Sequence, residues 1–348
     1  MLGGFSVIVL SLLTLIQPEA KHLMLTALAA SLLANFVNHP HFAHSYQLFY
    51  GEWRTALSGM ERSLRLRWLL AGIFFPLLLA GWLLLGAVAW RMGMKTPLAL
   101  SLLLMGILVG WHYVKQGFGM AMMDAAVKKA YWPAPARKAL LWNAYACWFA
   151  AWAWAAYRGI DGELWGVPYW KVKIAVWWVL PCSVWALITT LWASIQIKRS
   201  VEQWRSRGLP LRVMPLPGIV AYVVTLYLWT LFAHLNPFFL LVIPFFHSLQ
   251  YLTVVWRYKM NEVRIAKHPP RLLLRFLMMG FILGALGFWL VPRGIDFWIT
   301  GEWPSWSGGL ALATACMWIF INVHHYLIDN VLWRQGNPKV KAYLFDAA

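Results

Sequence analysis

Apolar runs of about twenty residues recur along the chain, and they limit its possible folds more than any other feature. A run of this length lets an α-helix cross the hydrocarbon core of a bilayer. Hydrophobic residues make up 61% of the 348-residue sequence and charged residues only 12%, so a water-soluble fold would lack polar segments to cover these runs. The sequence predicts an integral membrane protein whose main partner is the lipid bilayer.

Charged residues, proline and glycine divide the apolar sequence into about ten predicted spans. Backbone polar groups inside a bilayer must be satisfied within the protein, so each span is predicted to be helical. The first span lacks the basic start and the cleavage site of a secretory signal and is predicted to be retained. We expect one all-α domain over residues 1–348, a polytopic helical bundle with spans at 4–17, 22–38, 68–90, 97–127, 139–157, 172–197, 216–235, 237–256, 272–292 and 306–333.

The charge of the chain is strongly basic, with 30 Lys and Arg against 12 Asp and Glu and a formal net charge of +18. These basic residues lie in short loops between the predicted spans, so they indicate membrane orientation and no nucleic-acid partner. With alternate loops assigned to opposite sides, 22 lie on one side and 7 on the other, and Lys115 lies inside a span. The basic side is predicted to be cytoplasmic, with both termini on it.

Histidine is the residue type that stands out from an apolar bundle. The three cysteines lie inside apolar runs without a CxxC pair, so neither a zinc ribbon nor a disulfide framework is indicated. Polar side chains inside spans are costly and mark candidate sites. Seven of the ten histidines lie on or beside spans two, four, eight and ten, and are predicted to converge in the cytoplasmic half of the membrane: His39, His41, His44, His112, His247, His324 and His325.

The stretch NHPHFAH, from residue 38 to 44, follows the second span. Pro40 is predicted to interrupt that span and to start a new helix, with Asn38 as its N-cap. On the new helix His41 and His44 are spaced i,i+3 and share a face, whereas His39 points aside. The alternative is a histidine cluster at the membrane interface with no ligand.

Two further segments place polar side chains one helical turn apart. In WHYVKQGFGMAMMDAA these are His112 and Gln116, and in FFHSLQYLTVVWRYK they are His247 and Tyr251. A lone histidine on a helix is more often a hydrogen-bonded core residue than a ligand. Here the other histidine-bearing spans supply partners, which favours ligands.

In the last span, INVHHYLIDN, the adjacent His324 and His325 point about 100° apart on a helix, so only one can face a common centre. Asp329 follows His325 by one turn and could hold an imidazole N–H, as carboxylates do around metal ligands. His44, His247 and His324 each precede a cytoplasmic arginine by ten residues, roughly 15 Å of helix, so they could share one plane.

A site built from imidazoles with few carboxylates suits Fe, Zn or Cu better than Mg or Ca. Iron with open coordination positions would permit chemistry with O₂ as co-substrate. Haem is a competing interpretation, but two axial histidines would leave the others unexplained.

Four segments resemble motifs of the Brp/Blh family, the microbial membrane β-carotene 15,15′-dioxygenases. FHSLQYLTVVW (246–256) and VHHYLID (323–329) resemble its FxHSxxHxxxVW-type and PHxxLID-type motifs, FGMA (118–121) resembles HFGMAD, and PHFAH (40–44) resembles PHGALD. The order of the four is kept between residues 38 and 333. The resemblance implies a polytopic helical enzyme of the bacterial inner membrane that binds non-haem Fe(II) and splits a carotenoid with O₂ to give retinal.

By position, the resemblance carries motif histidines onto His41, His247 and His324, and the motif acid onto Asp329. It also departs from the family pattern. Gly117 takes the place of the HFGMAD histidine, so His112 would have to substitute for it, Ser45 and Tyr251 replace an acid and a second histidine, and His325 is extra.

We therefore expect an iron-dependent oxygenase acting on a hydrophobic small-molecule substrate, with carotenoid cleavage as its most concrete form. His41, His112, His247 and His324 are predicted to hold the metal and His44 or His325 to complete the shell, while Asp329, Tyr251 and Gln116 are candidate catalytic residues. Alternatives are a di-iron lipid desaturase or hydroxylase, although its HxxxH and HxxHH boxes are missing, and a metal or cation transporter. The oligomeric state is left open.

Overall fold

The computed structural model describes residues 2–51, 53–58, 60–160, 162–303, 311–334 and 336–346. Most of these residues are helical, which confirms the predicted all-α class. A single short hairpin is present among them, in which β1 (Glu163–Leu164) pairs antiparallel with β2 (Val167–Pro168).

The α-helices follow one another with short connections: α1 Leu2–Leu13, α2 Ala20–Ala34, α3 Asn38–Tyr50, α4 Trp53–Ser58, α5 Arg62–Leu69, α6 Phe75–Arg91, α7 Thr96–Val127, α8 Ala134–Arg158, α9 Val176–Ser206, α10 Leu216–Val223, α11 Pro237–Ile265, α12 Arg271–Ala285, α13 Val291–Thr300, α14 Leu312–Leu332 and α15 Pro338–Val340. Turns of π-helix join α5 to α6 (Leu70–Phe74) and α12 to α13 (Leu286–Leu290), and they extend α10 (Val224–Leu231) and α15 (Lys341–Phe345).

Six helical segments among the described residues are long and apolar enough to cross a membrane: Ala20–Tyr50, Arg62–Arg91, Thr96–Val127, Val176–Ser206, Pro237–Ile265 and Arg271–Thr300. The predicted count of about ten spans is therefore not confirmed. The other predicted spans are helical over most of their described residues, but they are shorter or more polar. Helix α1 has 12 residues, and α14 carries the INVHHYLID segment in its 21 residues.

The predicted interruption after the second span is present at residues 35–37, which form a turn between α2 and α3. Asn38 is the first residue of α3 and not its cap. The cap position is Val37, which makes no side-chain hydrogen bond. The side chain of Asn38 is used elsewhere, because its Oδ1 accepts a hydrogen bond of 2.7 Å from the hydroxyl of Ser248 on α11. The break lets α3 enter the interior at a new angle, with most of its residues buried.

Helix α14 lies at the centre of the arrangement and packs against α3, α6 and α7. Helix α11 packs against α1, α2 and α3, and α12 packs against α3. Large apolar side chains on the outer helices are exposed, among them Leu77 and Leu85 on α6 and Trp177 on α9, as expected where helices face lipid. Four helices with histidine-bearing faces, α3, α7, α11 and α14, therefore meet in the interior.

Candidate metal centre

Four histidines, one from each of four helices, form a buried group. They are His41 of α3, His112 of α7, His247 of α11 and His325 of α14. Their side chains are at most 4% exposed, and one ring nitrogen of each lies within 4.8 Å of those of the other three. Residues nearly 300 positions apart in the sequence thus lie close together, because α3 and α7 pack against α14 and α11 packs against α3.

The ring nitrogens of this group lack ordinary hydrogen-bond partners. Among the described atoms, no hydrogen bond is made by His41 Nε2, by His247 Nδ1 or by either nitrogen of His325. The Nε2 atoms of His112 and His247 are 3.1 Å apart, so two lone pairs would repel each other unless a proton or a cation lies between them. Buried polar atoms without a partner are costly, and a bound cation would remove that cost for several of them at once.

The hydroxyl of Ser248 fixes the tautomer of His41. It donates to Asn38 Oδ1 at 2.7 Å, and it lies 3.1 Å from His41 Nδ1. A hydroxyl has only one hydrogen, so Ser248 accepts from the Nδ1–H of His41. The proton of the neutral imidazole is thereby placed on Nδ1, and the lone pair of Nε2 faces the other three histidines. A second hydrogen bond of this kind is the usual way in which a metal-binding histidine is oriented.

Asp329 lies at the edge of the histidine group, one turn after His325 on α14. Its Oδ2 is 3.2 Å from His325 Nε2, without hydrogen-bond orientation, and 4.0 Å from His112 Nε2. The other oxygen, Oδ1, accepts a 3.0 Å hydrogen bond from the hydroxyl of Tyr251. That hydroxyl also pairs with Ser45 and accepts from the indole N–H of Trp333 at 3.2 Å. The carboxyl group is therefore held in place with one oxygen directed to the imidazoles.

Aromatic rings enclose the four imidazoles. Tyr326 stacks on His112 with centroids 4.6 Å apart, and Tyr113 packs on His247 at 4.3 Å. On the opposite side Phe42 lies 4.6 Å from His325. Such walls exclude water and lower the local dielectric, which strengthens any electrostatic interaction made inside.

Two of the histidines predicted as ligands lie outside this group. Both nitrogens of His324 are occupied, because Nε2–H donates to the carbonyl of Ala71 at 3.0 Å and Nδ1 accepts from the hydroxyl of Tyr46 at 2.9 Å. The structure thus brings His325, and not His324, to the common centre. Through the carbonyl of Ala71, His324 links α14 to the π-helical turn after α5.

His44 also points away from the centre, although it shares a helical face with His41. Its ring stacks on Phe276 of α12 with centroids 4.3 Å apart, and its Nδ1 pairs with the amide of Gln47 at 3.1 Å. Gly280 allows this arrangement, since a Cβ at that position would collide with the imidazole. His44 is therefore held against α12 and is not part of the group.

Gly117, where the family motif has a histidine, has no room for a side chain. A Cβ there would lie 2.8 Å from the Cβ of Thr225, and the glycine is buried. His112 lies five residues earlier on α7 and supplies the imidazole from that helix instead. Close packing of α7 on the π-helical turn at Val224–Leu231 thus leaves no space for an imidazole at position 117.

Gln116 lies beside the group without entering it. Its amide donates to the backbone carbonyl of His247 at 3.1 Å and to Gln250 Oε1 at 2.8 Å. The same side chain lines a cavity of about 460 Å³ that reaches His112, Tyr251 and Asp329. Binding pockets for small molecules have volumes of about 300–1,000 Å³, so a lipid-sized ligand could come close to the histidine group.

The residues present fit a transition-metal ion. Four nitrogen donors with one nearby carboxylate are the donor set of Fe, Zn or Cu sites and not of Mg or Ca sites. The candidate ligand nitrogens of the four histidines all lie within 4.8 Å of one another, so this group could hold one ion.

Sequence reasoning did not identify several residues that shape this site. Ser248, Tyr326 and Trp333 each contact a predicted site residue. Each is also a near neighbour in sequence of a predicted site residue, and polar or aromatic side chains at such positions are the one signal that could have indicated them. Neither protein-family models, nor curated proteins, nor solved structures give a match to this chain.

Proposed function

We propose that this protein is a histidine-ligated, metal-dependent oxygenase of the membrane that acts on a lipid-soluble substrate with Fe(II) and O₂. Oxidative cleavage of a carotenoid to a retinal-type aldehyde is its most concrete form. One observation supports it above the others: four buried imidazoles on four helices each place a ring nitrogen within 4.8 Å of the other three, and His41 Nε2, His247 Nδ1 and both nitrogens of His325 have no hydrogen-bond partner among the described atoms.

The assignment of iron rests on the donor set together with the motif resemblance. His41, His112, His247 and His325 would hold the ion, with Asp329 beside them. Fe(II), when bound, would supply the capacity to activate O₂. Cleavage of a carbon–carbon double bond by O₂ gives two carbonyl groups and incorporates both oxygen atoms, so the reaction consumes no external reductant.

The protein's own residues would contribute orientation and exclusion of water. Ser248 holds the tautomer of His41, and Tyr251 holds the carboxyl of Asp329. The cavity beside His112 would position an apolar chain against the site, which is mainly a proximity effect. Its aromatic walls would keep water from the reacting carbon atoms.

Metal analysis tests the proposed ligands. We expect about one iron per chain in anaerobically purified protein, and a loss of metal in the His247→Ala and His325→Ala variants. His324→Ala is the matched control, because it removes a buried imidazole next to His325 that is bonded elsewhere, and it should retain the metal. Metal retained in both ligand variants would overturn the proposed site.

Reconstitution tests the reaction. Iron-loaded protein supplied with β-carotene and O₂ should yield retinal, detected by chromatography, and the His325→Ala variant should yield none. An iron-loaded sample that gives no cleavage product would reject the carotenoid form of the proposal. Two irons per chain would favour a di-iron desaturase or hydroxylase.

A further inference from the structure

Three basic side chains line the cavity next to the histidine group. Lys115, Arg137 and Arg334 all face it, together with aromatic and methionine side chains. Asp329 is the acidic residue of the described lining, and it lies at the histidine end. The cavity therefore combines an apolar wall with an excess of positive charge.

None of the three cations forms an ion pair with a described carboxylate. Lys115 lies near the aromatic rings of Phe118 and Tyr145, 5.7 and 5.9 Å from their centroids. Arg334 uses its Nε–H to donate to the carbonyl of Asn330 at 2.9 Å, which leaves its terminal nitrogens available. Burial, followed by the nearby charge of Arg67, lowers the pKa of Arg334. Like charges that share one cavity repel each other, so an anion between them would be stabilised.

Membrane orientation does not explain Lys115. The basic residues that set orientation lie in loops, whereas Lys115 precedes the end of α7 at Val127 by twelve residues, roughly 18 Å of helix. It lies only one turn from His112. A charge at this depth in a spanning helix is costly and usually serves a ligand or a pathway.

The remainder of the lining is suited to an extended apolar chain. Met120, Met122 and Met123 of α7 and Trp333 after α14 contribute to it. Methionine side chains are flexible and adapt to irregular apolar ligands, and indole rings supply flat apolar surface. A fully neutral hydrocarbon would fit this wall, but it would leave the cations without a partner.

We propose that the substrate of this site is an amphiphile with an anionic head group, a carboxylate or a phosphate, bound by Lys115, Arg137 and Arg334. Its apolar chain lies along the methionines and extends toward His112 and Asp329. This inference rests on the proposed function for the chemistry at the histidines, and it specifies the substrate class. A carotenoid-derived acid would fit both the proposed cleavage reaction and the anionic head group.

Direct binding tests the head group without requiring turnover. Purified protein in nonionic detergent is titrated with radiolabelled palmitate, with cetyl phosphate and with the neutral cetyl alcohol. We expect at least one of the two anions to bind about tenfold or more tightly than the alcohol, and the preference between carboxylate and phosphate identifies the head group. Equal affinity for the alcohol and both anions would overturn the proposal.

Variants locate the anion in the cavity. Lys115→Met should weaken binding of the preferred anion about tenfold while leaving that of cetyl alcohol within about threefold. Arg137→Gln should also weaken anion binding, whereas its matched control Lys138→Gln, an exposed neighbour outside the lining, should not. Arg334→Lys keeps the charge and should retain much of the affinity that Arg334→Gln loses. Anion binding unchanged in the Lys115, Arg137 and Arg334 charge-removal variants would exclude this cavity.

The His247→Ala variant separates the two proposals. It should lose metal yet still bind the preferred anion, since His247 is not part of the cavity lining. Selective anion binding in a protein that shows no oxygenase activity would support the anion site and reject the proposed function. Cleavage of neutral β-carotene together with equal binding of palmitate, cetyl phosphate and cetyl alcohol would support the proposed function and reject the anion site.

Discussion

Replacing Ser248 with alanine should weaken metal binding without touching any proposed ligand. In the native protein this hydroxyl accepts from His41 Nδ1–H and donates to Asn38 Oδ1, at 3.1 and 2.7 Å. Ser248 and His41 are both fully buried. Bulk water therefore does not reach the position of the hydroxyl.

The magnitude follows from the two bonds that are lost. Each buried polar group left without a partner costs about 1–3 kcal/mol. The metal-binding tautomer of His41 then carries an unsatisfied Nδ1–H, whereas the other tautomer places the proton on Nε2 and has no lone pair facing the centre. Loss of such an orienting partner typically lowers metal affinity by about 10–100-fold, which is about 1.4–2.8 kcal/mol. We expect a value in this range.

Anaerobic titration of the apo-protein with Fe(II), in competition with a chromophoric chelator, measures the effect. Thr253→Ala is the matched control on α11, because its hydroxyl bonds only to the carbonyl of Gln250 three residues earlier. It should bind Fe(II) as the native protein does. If Ser248→Ala also binds within about twofold of native affinity, the assigned role of Ser248 is wrong.

Three further predictions concern packing, capping and the site network. Gly117→Ala should lower the melting temperature, since overpacking costs about 1–3 kcal/mol, whereas Gly106→Ala on the same helix meets no atom within 4 Å and should not. Asp296→Ala should destabilise the protein by about 1–3 kcal/mol, because its carboxylate accepts two backbone N–H groups and a hydroxyl at the start of α14; thermal unfolding in detergent checks it. Tyr251→Phe should retain iron by elemental analysis but lower turnover roughly tenfold, as Asp329 loses a hydrogen bond; unchanged turnover would contradict a role for the hydroxyl.

The sequence contained enough information to indicate which segments meet. Polar side chains inside membrane spans cost free energy and are rare. The histidines of four segments therefore indicated a candidate site: NHPHFAH, WHYVKQ, FFHSLQ and INVHHYLID. In the structure these four segments each contribute one imidazole to the buried group. Periodicity and the cost of burying polar groups are local properties, and a single sequence displays them.

The choice between neighbouring histidines depended on packing that a sequence does not display. His324 and His325 differ by about 100° around α14, and the π-helical carbonyl of Ala71 holds the first of them. His41 and His44 share a face, but the glycine at position 280 lets α12 come close enough for the ring of His44 to stack on Phe276. The predicted common depth of His44, His247 and His324 assumed straight spans that end at arginines. Helix rotation and interhelical distance therefore determine which histidine of each pair joins the buried group.

The number of membrane crossings was harder to predict for a related reason. Counting apolar runs treats each run as one crossing, yet four of the predicted spans have no counterpart among the six long apolar segments: 4–17, 139–157, 216–235 and 306–333. The polar side chains of α14 lower the hydropathy by which a membrane span is recognised, although this helix lies at the centre of the bundle. A helix surrounded by other helices does not need the composition of a helix surrounded by acyl chains.

His325 follows the other three histidines of the group in the sequence, and this order has a consequence for biogenesis. A ribosome makes α3, α7 and α11 before α14. Three of the four histidine-bearing helices are therefore present while the fourth is still being synthesised. A polypeptide that is cut short before residue 325 contains only three of the four histidines. The group of four is therefore complete only after α14 has been made and has packed against α3 and α7.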